Sequence, residues 1–114
     1  MPDMIYHMCP AATWAEAVAA GRYTGTEDDR RDGFIHFSTA AQIAESARRH
    51  RAGQRGLLLI AVAAEQLGDR LRWETSRGGD LFPHVYGALD PAETVSAEPL
   101  PLGADGEHIF PPLR

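Results

Sequence analysis

Gly33-Phe34-Ile35-His36-Phe37-Ser38-Thr39 alternates in the manner of a strand, with Phe34, His36 and Ser38 on one face and Ile35, Phe37 and Thr39 on the other. Thr39 is followed three residues on by Gln42, the pattern of a capping box, so the strand is expected to run straight into a helix. A histidine and a hydroxyl would then share one face beside a helix N-terminus, where free backbone N–H groups suit an anionic ligand. Two further segments place a histidine in an apolar, strand-like setting: Ile5-Tyr6-His7-Met8 and Phe82-Pro83-His84-Val85-Tyr86-Gly87. The fold is read as a device that brings these three segments together.

Outward from this stretch, Met4 to Met8 reads as a first strand with Tyr6 on one face and Ile5 and His7 on the other; Cys9-Pro10 ends it. Thr13-Trp14-Ala15-Glu16 has the capping pattern for a short helix with Trp14, Ala17 and Val18 at helical spacing and Gly21 as its stop. Arg22 to Asp32 reads as a polar loop whose acidic run, Glu27-Asp28-Asp29, is solvated. After the Gly33 stretch, Ala40 to Arg51 reads as a helix with Ile43 and Ala47 inward; its closing basic cluster, Arg48-Arg49-His50-Arg51, complements the helix dipole. Leu57 to Ala63 is apolar throughout and predicts a central strand buried on both faces. A helical turn near Glu65–Gly68 follows, then a strand at Leu71–Thr75, a turn at Arg77–Asp80, a strand from Phe82 towards Leu89, and a weak strand near Thr94–Ala97. Helices in the first half and strands in the second predict an α+β fold with a curved, split, mixed or antiparallel sheet and two helices in the N-terminal half. Residues 1–114 read as a single domain, with 98–114 an irregular C-terminal arm anchored by Ile109-Phe110.

The chain has 114 residues, 44% of them hydrophobic and 24% charged, which is ordinary globular composition. A formal net charge of -5 argues against general nucleic-acid binding, which needs surplus cations. All basic residues except histidine are arginine, so Schiff-base chemistry on lysine and lysine-dependent phosphate loops are excluded. Cys9 is the sole cysteine, so no intrachain disulfide forms, which fits a reducing compartment. Met1-Pro2-Asp3 opens no signal-peptide pattern and no apolar run reaches membrane-span length. The expectation is a cytoplasmic protein with a small-molecule ligand and no membrane partner.

His7, His36, Glu74 and His84 are the candidates for chemistry. One histidine on an apolar strand is ordinarily a hydrogen-bonded core residue. Three of them, with Glu74 beside Trp73, are more expected of a site, because burying titratable groups costs free energy unless they are paired. Together they could donate hydrogen bonds, move a proton or hold zinc or iron. No strong metal signature is present, and His36 and His84 lie far apart in sequence. Cys9 reads as a small apolar residue rather than a nucleophile. Ser38 and Thr39 are explained by capping or by phosphate binding.

These pieces, with the Trp14–Gly21 helix, Tyr23, Arg72-Trp73-Glu74 and the Phe82–Gly87 segment, resemble a family of small bacterial proteins classed as domain of unknown function nine hundred and fifty-two. The resemblance runs over nearly all of the chain up to about Leu89. That family looks like a compact relative of the ADP-ribosyltransferase fold, in which a split sheet clasps NAD. The resemblance implies that His7 contacts the adenosine ribose and that His36, supported by Ser38, lines the nicotinamide end. Glu74 or His84 would assist transfer, which makes His36, Glu74 and His84 the catalytic candidates. The diphosphate would fall to Arg22, Arg30 or Arg31, or to the N–H groups near Ser38–Thr39. NAD is then the expected substrate of ADP-ribosyl transfer or hydrolysis, with no metal favoured. A metal-dependent enzyme built on the His/Glu cluster and a non-catalytic binding module are the alternatives.

Overall fold

The computed structural model describes residues 3–113, except for the Arg77 side chain; Met1 and Pro2 of the amino-terminal reading and Arg114 of the arm lie outside the described residues. Strand β1, Met4–Pro10, alternates as its sequence requires. Ile5 and Cys9 enter one core, while Tyr6 and Met8 enter a second on the opposite face. Helix α1 spans Ala11–Ala20 and ends at Gly21, whose φ of 73° is the left-handed stop expected there. It begins earlier than the Thr13–Glu16 pattern predicts. Pro10 is the cap residue, and the first helical N–H, of Ala11, donates to the Gly56 carbonyl at 2.8 Å, so no side-chain cap is needed. Trp14 and Ala17 are buried as expected, but Val18 is exposed.

The Arg22–Asp32 segment is not a loop throughout. Helix α2, Glu27–Asp32, starts at Thr26 with a complete capping box: Asp29 N–H donates to Thr26 Oγ1, and Thr26 N–H donates to Asp29 Oδ2 at 2.8 Å. Three α-helices therefore precede the central strand rather than two.

The Gly33–Thr39 stretch is not one strand but two, and this sets the architecture. Ile35–His36 (β2) and Ser38–Thr39 (β3) join different sheets, with Phe37 between them donating its N–H to Pro83 O at 3.1 Å. The remaining strands are β4 (Leu57–Ala63), β5 (Leu71–Thr75), β6 (Leu81–Val85) and β7 (Ser96–Leu100). One sheet runs β3-β1-β4-β7 and the other β2-β6-β5. Every pairing among the described strands is antiparallel, so the fold is α+β with a divided antiparallel sheet and no parallel component. β4 lies between β1 and β7 with almost every residue buried, as its unbroken apolar run demands.

Helix α3, Ile43–His50, begins three residues later than expected. Gln42 makes one half of the expected capping box, its Oε1 accepting from Thr39 N–H at 3.0 Å, while its Nε2 donates to Leu81 O in the second sheet at 2.9 Å. Ile43 and Ala47 seat the helix on the Tyr6–Met8 face, whereas α1 and the smaller sheet cover the Ile5–Cys9 face. Gly87, at φ 100°, lies beyond the end of β6, which stops at Val85 rather than running on towards Leu89. Glu98, Pro99 and Leu100, assigned to the arm, belong to β7. The arm is held by Phe110 and Leu113, while Ile109 is exposed.

Candidate functional site

β3 accompanies β1 only through the pairs Ile5–Thr39 and Tyr6–Ser38. One residue earlier in the stretch the chain already belongs to the other sheet, and His36 pairs with His84 across β2 and β6. The two sheets diverge at that point, and a cleft of about 180 Å³ opens, lined among others by His7, Asp29, His36, Ser38, Arg51 and His84. The three histidine segments are thus brought to one hollow by the division of a single stretch.

His84 is buried and stacks on Phe34, with ring centroids 4.0 Å apart. Its Nδ1 is 2.7 Å from Glu74 Oε1, which also accepts from Tyr86 O–H at 2.8 Å. A carboxylate can only accept, so the Nδ1 proton is donated to Glu74 and Nε2 is left as the acceptor in the neutral ring. Among the described residues, Nε2 of His84 has no hydrogen-bond partner. The bond from His84 and then that from Tyr86 hold Glu74 below the usual carboxylate range. Glu74 does not line the cleft; it stands behind His84.

His36 is 42% exposed and lies between two carboxylates. Nδ1 meets Asp29 Oδ1 at 2.5 Å and Nε2 meets Asp32 Oδ2 at 3.1 Å. The His36 and His84 rings meet edge to face at 5.8 Å between centroids. Asp29, 2% exposed, also accepts from the backbone N–H groups of Thr26 and His36. Burial pushes its carboxyl up, but the bond from the His36 ring and the two backbone bonds overcome this and hold it well below the ordinary carboxylate range.

His7 is fully enclosed. Nδ1 donates to His36 O at 2.7 Å, and Nε2 accepts from Tyr23 O–H at 2.6 Å. Burial pushes the imidazole below its ordinary value, against the opposing pull of Asp29, so the neutral ring fits both bonds. Its observed contacts position the His36 backbone. Burial likewise raises the Cys9 thiol to about 11, which agrees with reading it as a small apolar residue.

Ser38 Oγ is bonded to Ser46 Oγ at 2.9 Å inside the cleft, whereas Thr39 lies outside the lining and its N–H is taken by Gln42. Arg31 lines the cleft, paired with Asp28 and Asp32; Arg30 turns to Thr24 and Gly25 instead. Among the described residues, no group of three or more His, Cys, Asp or Glu side chains is arranged to hold a metal ion. His7 is bonded to Tyr23 and to the His36 carbonyl, His36 to Asp29, and His84 to Glu74.

A family model described as "Protein of unknown function (DUF952)" matches residues 8–97. The chain belongs to the DUF952 family. A crystal structure of protein CC0527 from Caulobacter crescentus, at 44% identity, superposes with a TM-score of 0.90 over 93% of each chain. The solution NMR structure of the same protein, at 45% identity, has a TM-score of 0.82 over 91% of this chain and 90% of that one. None of the curated proteins matches.

Asp29 is the residue of this DUF952 site that charge patterning conceals, because it sits in an acidic run that otherwise reads as solvated. The signal that marks it is the Thr26-x-x-Asp29 spacing, a helix start ahead of the His36 strand. Tyr23 supplies the hydroxyl that satisfies buried His7. Tyr23→Phe removes the donor to His7 Nε2 without changing shape and should cost about 1–3 kcal/mol, read from the urea midpoint.

Gly25 supplies a second check. Its φ is +99°, and an added Cβ would lie 2.5 Å from Asp29 Cβ. Gly25→Ala should therefore destabilise by about 2–4 kcal/mol, combining backbone strain with displacement of Asp29. Gly21 also has positive φ but nothing within 4 Å of its added Cβ, so Gly21→Ala should cost only about 1 kcal/mol. Equal melting temperatures for the two variants would remove Asp29 from the explanation.

Proposed function

We propose that this DUF952 protein is an NAD-binding enzyme acting at the nicotinamide–ribose bond, by hydrolysis or by transfer of ADP-ribose, within an ADP-ribosyltransferase-like fold. The observation that carries the reading is the pairing of His36 with His84 at the mouth of the divided sheet, each with a carboxylate on Nδ1. Leaving nicotinamide takes the C–N bonding electrons with it and departs neutral, so it needs no acid. The ribose carbon becomes oxocarbenium-like and is captured by water or an acceptor hydroxyl. His84 Nε2 takes the proton that the nucleophile loses, and Glu74 stabilises the imidazolium that results. His36, held between Asp29 and Asp32, lines the cleft beside the substrate. Ser38, the third cleft residue from the same stretch, lies deeper, against α3. His7 and Thr39 act on the frame of the site through their bonds.

Titrating NAD while following the melting temperature tests the reading, since a ligand that binds only the folded state raises it by mass action. The expected result is a saturable rise accompanied by release of nicotinamide. An unchanged melting temperature at millimolar NAD would contradict it.

A further inference from the structure

Arg51 follows α3 at its C-terminal boundary, where a cation compensates the helix dipole and needs no other role. Its setting differs from that of the neighbouring arginines. The Arg51 side chain is 17% exposed, whereas those of Arg48 and Arg49 are 52% and 55% exposed. A guanidinium that merely balances a dipole has no reason to leave water, and withdrawing it is costly unless its donors are used. Guanidinium carries five N–H donors. Among the described residues, Arg51 directs one nitrogen, Nη1, to His50 O at 3.2 Å and to Asp28 Oδ2 at the loose distance of 3.8 Å. No hydrogen bond from Nε or Nη2 to a described residue accompanies these.

The other charges of the cleft wall are committed. Asp29 is held by His36 and two backbone N–H groups, and Asp32 by His36 and Arg31. Asp28 is shared between Arg31 and Arg51. Arg51 therefore keeps unused donors in a cleft whose carboxylates already have partners. Ser38 and Ser46 line the same cleft, and the serine that accepts in their mutual bond keeps its own O–H to donate to a bound oxygen.

From this arrangement we infer that Arg51, with the Ser38–Ser46 hydroxyl pair, forms an oxyanion subsite that takes a phosphate or carboxylate group of the substrate while His36 and His84 face its reacting part. Arginine's planar fork grips such a group through two parallel N–H bonds. The subsite makes an anionic substrate the expected class. It rests on the cleft being the substrate site proposed above but does not require that the substrate be NAD.

The test uses inorganic pyrophosphate and succinate as probes, titrated calorimetrically against the full chain and against Arg51→Gln, Arg51→Lys and Arg48→Gln. Tight binding of pyrophosphate identifies a phosphate group, and tight binding of succinate a carboxylate. In either case Arg51→Gln should weaken the bound probe about 10- to 100-fold. Arg51→Lys, which keeps the charge but loses the fork, should fall between, and Arg48→Gln should bind as the parent does. Binding of neither probe to the parent, or equal weakening by Arg48→Gln, would overturn the subsite; so would unchanged binding in a folded Arg51→Lys and Arg51→Gln. Arg51-dependent pyrophosphate binding without turnover of NAD would reject NAD as substrate while leaving the subsite intact. NAD turnover with a KM indifferent to Arg51→Gln would do the reverse.

Discussion

Asp29→Ala should lower stability by about 3–5 kcal/mol, the combined loss of a helix cap and of the hydrogen bonds that a buried carboxylate accepts from the His36 ring and backbone N–H. For a chain of this length that corresponds to a melting temperature lower by roughly 10–20 °C. One side chain performs three tasks: it closes the capping box of α2, accepts the His36 backbone N–H and holds the His36 ring. Asp29→Asn keeps the volume and can still accept from a backbone N–H, so its loss should be smaller. The substitution also has a signature in acid. The Asp29 carboxyl is depressed in the folded protein, so its contribution is fully present above the unfolded value of about pH 4. That contribution is lost as pH falls from there towards the native value. Urea titrations of the parent should therefore show stability declining below about pH 4, and Asp29→Ala should show a shallower decline. Parallel declines would mean that another carboxyl carries the acid sensitivity.

On the function proposed above, His84→Ala should reduce the turnover of NAD by about 10²–10⁴-fold, the range for a positioned general base. Glu74→Gln should cost less, because the glutamine oxygen can still accept from His84 Nδ1–H while the negative charge is lost. The two substitutions act through one pair, so the double variant should be little worse than His84→Ala alone. Independent, multiplicative losses would place Glu74 at the substrate rather than behind the imidazole. Circular dichroism and melting curves of each variant separate lost chemistry from lost fold, since His84 is also packed on Phe34.

Much of the framework is legible in the sequence because its causes are local. The unbroken run Leu57–Ala63 has no polar face, so it becomes the strand buried on both sides. Leu71–Thr75 alternates between two turn signals and forms β5 over those residues. The strand-like settings read for His36, Ser38 and His84 also put them on elements that reach the cleft. The break at Phe37 is not local. Nothing in Gly33–Thr39 marks the change of sheet, which follows from Pro83 and His84 pairing on one side and Ile5 and Tyr6 on the other. A tertiary partner likewise moves a helix start: Gly56 relieves α1 of a side-chain cap. Asp29 is concealed for the same reason. Its neighbours Glu27 and Asp28 are solvated, and beyond the Thr26 capping spacing only its bonds to a strand seven residues on distinguish it.

The cleft as the place where NAD is handled is tested most directly by following the ¹⁵N resonances of the five histidine rings during an NAD titration, with each ring assigned by single substitution. His36 and His84 should shift together and saturate at one ligand concentration. His108, whose Nε2 is bonded to Gln54 O outside the cleft, should stay fixed. Shifts confined to His108, or no movement of His36 and His84 at millimolar NAD, would contradict a site between the two sheets.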